Sequence, residues 1–363
     1  MRTVRITAAT LLLAGAMGTA NALTFDLSFI PGTTLQERTS FTTAASMWSS
    51  LFSDPISVPL TVGTGPLAPN VLAQAGSREF YDSYSNVRAQ LNTDRTSPLD
   101  YTAVANLAPG STFGVLINRT ADNPNGPGSA TPYVDSIGDN NAFVSFTAAN
   151  ARALGYSVPG GNMGGACALT CDAFIQFGTG FTWDHNPNDG ITGFDFIGIA
   201  VHEIGHAMGF ISGVDVLDFY AQPANGGPYD ADEFSFVTTL DLFRWSAASM
   251  SAVPGGVIDW TSDNRDKFFS VDRGATAGAR FSNGTNYGDG RQASHWKDSL
   301  GLGIMDPTAS PGELLGISAA DIAAFDAIGW NVAAIPEPST YAMFGLGLLA
   351  IGAAARRRQS TTG

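Results

Sequence analysis

The chain has 363 residues, of which 44% are hydrophobic and 14% charged, with 42 glycines and 19 prolines. That apolar content suffices for a packed core and excludes disorder as the main theme, while the turn-forming residues exclude a plain helical bundle and point to a loop-rich α+β fold. A formal charge of −14 argues against nucleic acid as a partner, because phosphate contacts need Lys and Arg.

Arg2 and Arg5, an apolar run from Ile6 to Met17, and Ala20-Asn21-Ala22 follow one another in the order of a secretory signal peptide over residues 1–22. The run is shorter than the roughly 20 apolar residues that span a bilayer. Phe41, Ala44, Ala45, Trp48, Leu51 and Phe52 then recur at helical spacing and predict a core-facing helix. Residues 56–62 and 111–118 read as strands, with helical stretches near 78–91 and 98–107 between them. Residues 118–132 read as loop, 142–156 as strand then helix, and 172–184 as a strand. Cys167 and Cys171 are the only cysteines, and in an exported chain they predict a small disulfide loop.

Asp195 reads as the N-cap of a helix over 196–208, with Gly209 as its stop. The stretch 212–290 is rich in Gly, Pro and Asn around one ordered island, Phe236 to Ser246. A last helix starts at Ser318, with Asp321 three residues on as a capping box, and presents Ile322, Phe325 and Ile328 to the core.

The 196–208 helix carries His202, Glu203 and His206. A four-residue step keeps both imidazoles on one face, where they can bind one zinc ion at about 2.0–2.1 Å. In an H-E-x-x-H pattern the glutamate binds no metal; it is the general base for a metal-activated water, while zinc polarises the scissile carbonyl. Two histidines need a third partner, and the chain has only four. Ser212, three residues after Gly209, is a poor zinc ligand. His295 is the favoured third ligand, followed by Trp296 and, ten residues on, by Met305 in a Gly-Ile-Met-Asp-Pro turn. Asp215, Asp218, Glu233 and Asp241 are the alternatives, each offering a carboxylate.

His202-Glu203-x-x-His206-x-x-Gly209, His295-Trp296 and Met305 stand in an order that resembles the leishmanolysin family, metzincins in which an insertion separates the helix motif from the third histidine. The resemblance rests on residues 202–210 and 294–308, and the 89-residue step from His206 to His295 is large for it. It implies a zincin/metzincin-like fold, with a mixed sheet and active-site helix over 23–209 and an irregular lobe over 210–333 that brings the third ligand, the methionine turn and a closing helix. It further implies an exported zinc endopeptidase acting on polypeptides, with one catalytic zinc on His202, His206 and His295, Glu203 as base and Met305 as a structural floor. In zincins the edge strand beside the active helix pairs with extended substrate, a role that falls here to 172–184. The other functional class is a non-catalytic surface or matrix protein with a structural metal site, which would have no need of Glu203.

Asp184, Asn186, Asn188, Asp189 and Asp195 have near EF-loop spacing, with the glycine one position late, so the segment is either a calcium loop or a hydrogen-bonded turn. His185 reads as a loop histidine. At the C-terminus, Pro336-Glu337-Pro338, an apolar run from Tyr341 to Ala355 and Arg356 to Arg358 form a stop-transfer pattern. This tail, over 334–363, resembles the PEP-CTERM sorting signal of Gram-negative bacteria. The resemblance implies transmembrane engagement, processing by an exosortase-like enzyme and delivery to the cell surface or extracellular matrix; the alternative is an ordinary membrane anchor. Loss of Arg2 and Arg5 takes the charge from −14 to −16, and loss of the three tail arginines to −19.

Overall fold

In a computed structural model the chain is described over residues 22–167 and 170–334. The signal segment and the tail after residue 334, with its apolar run and arginines, lie outside the described residues. Strand β1 (Thr24–Phe29) leads to helix α1 (Leu35–Leu51), which opens on a Thr34/Glu37 capping box and buries Phe41, Ala44, Ala45 and Trp48, as their spacing predicts. There follow β2 (Ser57–Gly65), β3 (Ala73–Ser77), β4 (Glu79–Ser83), α2 (Tyr84–Asp94), α3 (Pro98–Asn106), β5 (Val115–Ile117), β6 (Tyr133–Asp135), β7 (Phe143–Thr147), α4 (Ala148–Ala153), β8 (Ala173–Gly178), β9 (Trp183–Asp184), β10 (Phe194–Asp195) and α5 (Phe196–Ala207). Beyond α5 come α6 (Val214–Tyr220), β11 (Arg244–Trp245), α7 (Ala247–Ala252), β12 (Ile258–Asp259), β13 (Lys267–Phe269), β14 (Arg280–Phe281) and α8 (Ala319–Ala327). The fold is mixed α+β with several small sheets.

The largest sheet has the order β1-β2-β8-β3, parallel except for β3, which runs antiparallel to β8 at the edge. Helices α1 and α5 pack together, with the Trp48 indole donating to the Val201 carbonyl at 2.9 Å. Phe41, Phe177 and Phe196, from α1, β8 and α5, join at ring separations of 4.4 to 5.1 Å. This aromatic contact fixes the start of α5 against the sheet.

Three expectations change. Residues 172–184 are not one edge strand: β8 is internal, between β2 and β3, and β9 is a separate piece paired with β10. The edge strand beside α5 is β3, whose Ala-Gln-Ala-Gly-Ser sequence has none of the β-branched or aromatic residues that mark a strand. The helix expected near 78–91 begins as β4, paired with β7, and turns helical only at Tyr84, where Ser83 caps α2. The strand expected over 111–118 shrinks to β5.

The segments before and after α5 interleave. β12 pairs with β5 in a three-stranded sheet, and the Ser145 backbone bonds Val237 and Thr239. Helix α8 has the Ser318/Asp321 capping box, with Phe325 and Ile328 buried. No helix among the described residues is long and apolar enough to cross a membrane.

Candidate metal centre

Helix α5 is set by its ends. Asp195 caps it by accepting from the Gly198 N–H at 2.9 Å, and its second oxygen accepts from Leu315 N at 3.2 Å. At the other end Gly209 takes φ +117°, a conformation open to glycine, and the Phe210 N–H closes back on the Gly205 carbonyl. His202 and His206 project from one face. Gly205 lies between them, and a Cβ there would sit 2.5 Å from Met305 Sδ, so the glycine admits the buried methionine beneath the helix.

His295 arrives on a stretch without regular structure. The Asp215 carboxylate accepts from the backbone N–H groups of Ala293 and Ser294, and the fully buried Arg244 guanidinium donates to the carbonyls of Ala293 and Ser282. Ser282 N donates to the His295 carbonyl at 3.0 Å.

The three Nε2 atoms form a triangle with sides of 3.0, 3.1 and 3.3 Å. Zn–N bonds of about 2.0–2.1 Å in tetrahedral geometry put nitrogens about 3.3 Å apart, so the triangle fits one zinc ion. Each Nδ1 faces a carbonyl: His202 that of Ile304 at 2.7 Å, His206 that of Phe210 at 2.7 Å, His295 that of Gln292 at 3.3 Å. Carbonyls only accept, so every Nδ1 is the donor and every Nε2 turns a lone pair toward the other two. Three converging lone pairs repel, and a cation removes the repulsion. Burial holds His202 below the ordinary imidazole value, opposed by the Ile304 carbonyl and the Asp321 charge. It pushes His206 down to about 3 with help from His202, and His295 well below its usual range. All three imidazoles are thus neutral at pH 7. Among the described residues this is the one group of three or more His, Cys, Asp or Glu whose ligand atoms converge.

Glu203 is 6% exposed, and burial pushes its carboxyl up to about 8. It lines, with the three histidines, a cleft of about 960 Å³ that β3, Arg291 and Asp306 also line. Pro307 to Ala309, after the methionine turn, complete the wall.

The rival ligands are engaged elsewhere. Asp215 holds the chain leading to His295. Asp218 accepts from Ser262, Asn286 and Tyr287, and Asp241 from Ser212, Gly213, Thr238 and Trp260. Glu233 caps a short turn at Asp230. In the 184–195 segment, Asp184 accepts from Asn186 and Thr192, and Asn186 donates to Asp189, so the loop is a hydrogen-bonded turn. His185 meets Ser40 at 2.9 Å and stacks near Phe196. Cys167 and Cys171 are bridged. Sequence reasoning missed β3, Arg244 and the reach of Asp321; an arginine inside the apolar Phe236–Ser246 island, three residues after Asp241, was a usable signal of a buried ion pair.

Residues 334–358 match the family model described as the PEP-CTERM protein-sorting motif. The chain carries a PEP-CTERM sorting motif. No curated protein and no solved structure matches the chain. The PEP-CTERM motif implies export, recognition by an exosortase-like processing enzyme and surface sorting in a Gram-negative bacterium. Just before the motif, Val332 bridges to Phe52 and Ala333 N donates to the Leu51 carbonyl.

Proposed function

We propose that the protein is an exported zinc-dependent endopeptidase with a metzincin-like, leishmanolysin-like centre. The observation that carries this reading is the triangle of three Nε2 lone pairs, each imidazole oriented by a carbonyl, beside a carboxyl with no structural task in an open cleft. His202, His206 and His295 would hold zinc, which supplies Lewis-acid polarisation of a scissile carbonyl and lowers the proton affinity of water. Glu203 takes the proton and passes it to the leaving amine. Burial makes its carboxyl a strong acceptor, and a dication held by the histidines would pull its value back down. Met305 is the floor under the ligands. The free edge of β3 offers backbone N–H and C=O groups to an extended polypeptide, which supports β-addition as the binding mode. After export, the tail is the membrane-engaging segment that the exosortase-like enzyme removes, leaving the enzyme at the cell surface or in the matrix.

Metal analysis with casein cleavage tests the proposal. Wild type should carry one zinc per chain, and His295→Ala should lose it. Glu203→Ala should keep zinc and fold while cleavage drops by about 10²–10⁴. Full zinc in His295→Ala overturns the triad. Near-normal cleavage by Glu203→Ala removes the base. A zinc-loaded wild type that cleaves no polypeptide favours the non-catalytic metal site.

A further inference from the structure

Asp321 lies in the first turn of α8 and is fully buried. Its carboxylate accepts four N–H bonds. Oδ1 takes the Trp296 indole at 2.8 Å and Met305 N at 3.3 Å; Oδ2 takes Ile304 N at 2.9 Å and Ser318 N at 2.7 Å. Only the Ser318 bond belongs to the capping box. The approach to the methionine turn is so close that a Cβ at Gly303, where φ is +153°, would collide with Oδ2. No ion pair among the described residues involves Asp321. A carboxylate this buried is held by N–H dipoles alone, on the side of the core that faces the three histidines.

Two of the four bonds lead to the histidines. The Ile304 carbonyl that orients His202 belongs to the peptide whose N–H, on Met305, donates to Asp321. A negative charge on the N–H side polarises that peptide and makes its oxygen a better acceptor, which strengthens the His202 Nδ1–H bond and the donor power of Nε2. Trp296, bonded to Asp321 through its indole, is the neighbour of His295, and its backbone N–H donates to the Met305 carbonyl at 2.9 Å. Taking the triad as a zinc site, as proposed above, we propose that Asp321 is a positioning residue that sets the orientation and donor strength of His202 through the Ile304–Met305 peptide and the placement of His295 through Trp296.

The test is zinc affinity by chelator competition, together with the visible absorption of the cobalt(II)-loaded protein, on Asp321→Asn and Trp296→Phe. Asp321→Asn keeps the size of the side chain and removes the charge. It should weaken zinc binding by about 10–100-fold and shift the cobalt bands, with far-ultraviolet circular dichroism unchanged. Trp296→Phe keeps a ring in the core, removes one N–H, and should give a smaller change of the same sign in both. Wild-type zinc affinity and an unshifted cobalt spectrum in Asp321→Asn, even with a lowered melting temperature, overturn the proposal. If Asp321→Asn does not fold, an unchanged affinity and spectrum in Trp296→Phe overturn it. A wild-type protein that takes up no zinc sinks the proposed function and this role with it, whereas equal loading of wild type and variant sinks this role alone.

Discussion

His202 and His206 stand on a helix whose cap, apolar face and terminal glycine all lie within residues 195–209. His295 stands on irregular chain, and the contacts that hold its neighbours come from Asp215, Arg244 and Asp321, at sequence distances of 78, 49 and 25 residues. The first half of the centre is built by local propensity and apolar burial, the second by buried charges bonded to backbone. Helical geometry places two ligands at small cost, but a ligand on a loop needs every nearby N–H and C=O tied to something fixed. That is the work of the long segment between His206 and His295. It carries Asp215, Arg244 and Asp241 into the core, where the Arg244–Asp241 pair, at 3.4 Å, is fully buried.

Breaking that pair should separate the two halves. Arg244→Met leaves Asp241 and Asp215 without their buried cation and leaves the carbonyls of Ser282 and Ala293 without their donor. Removing one partner of a buried pair costs about 3–5 kcal/mol. Hydrogen exchange should show protection lost over 282–296 and retained in α5. Equal loss in both segments would mean that the halves are not held separately.

A smaller change probes the place where the halves touch. In Gly205→Ala the new Cβ meets Met305 Sδ at 2.5 Å and Phe325 Cζ at 3.5 Å. Methionine can give way, so overpacking should cost about 1–3 kcal/mol and lower the melting temperature without unfolding the chain. Combining it with Met305→Ala should recover part of the Gly205→Ala cost, as coupled neighbours do. Fully additive losses would show that α5 and the methionine turn do not bear on each other.

The same contrast explains what was legible. The α5 cap, its glycine stop and the α8 capping box were readable because each is a short-range device of fixed spacing. His295 was readable for another reason, since with four histidines and two placed, few candidates remained. Asp215 was legible as a carboxylate near the site and not as a clamp, because its partners are backbone groups that any sequence supplies. Asp321 was legible only as a cap, one bond of its four. The β3 edge escaped because Ala, Gln, Gly and Ser carry no strand signal, and its pairing with β8 across about a hundred residues decides its state. The PEP-CTERM tail was readable in full as a linear motif of three chemically distinct parts.

A second junction, away from the three histidines, joins the two parts of the chain through acids, and it should make the weakest of these effects. Asn331, beyond α8, bonds Asp54 through its backbone N–H at 3.0 Å and Asp94 through its amide at 3.0 Å; Ser97 donates to Asp326 at 2.6 Å. Burial pushes Asp54 up to about 6 and Asp94 and Asp326 up to about 7, with charge from Asp100 and from one another adding to the rise. In the unfolded chain an aspartate titrates near 3.9. A folded value raised above the unfolded one means that the folded state holds the extra protons. The contribution is therefore fully present below about pH 4 and is lost as pH rises through 6 to 7. Stability should fall between about pH 4 and pH 7 and level off above that. Asp94→Asn keeps an acceptor for the Asn331 amide and removes one of these titrations. A tenfold change in proton affinity corresponds to about 1.4 kcal/mol, and partial exposure of Asp94 discounts it, so the variant should gain roughly 1 kcal/mol over wild type at pH 8 and nothing at pH 4. Denaturant melts at the two pH values decide it: a gain of the same size at both would assign the effect to packing, and would leave the junction without a role in the pH dependence.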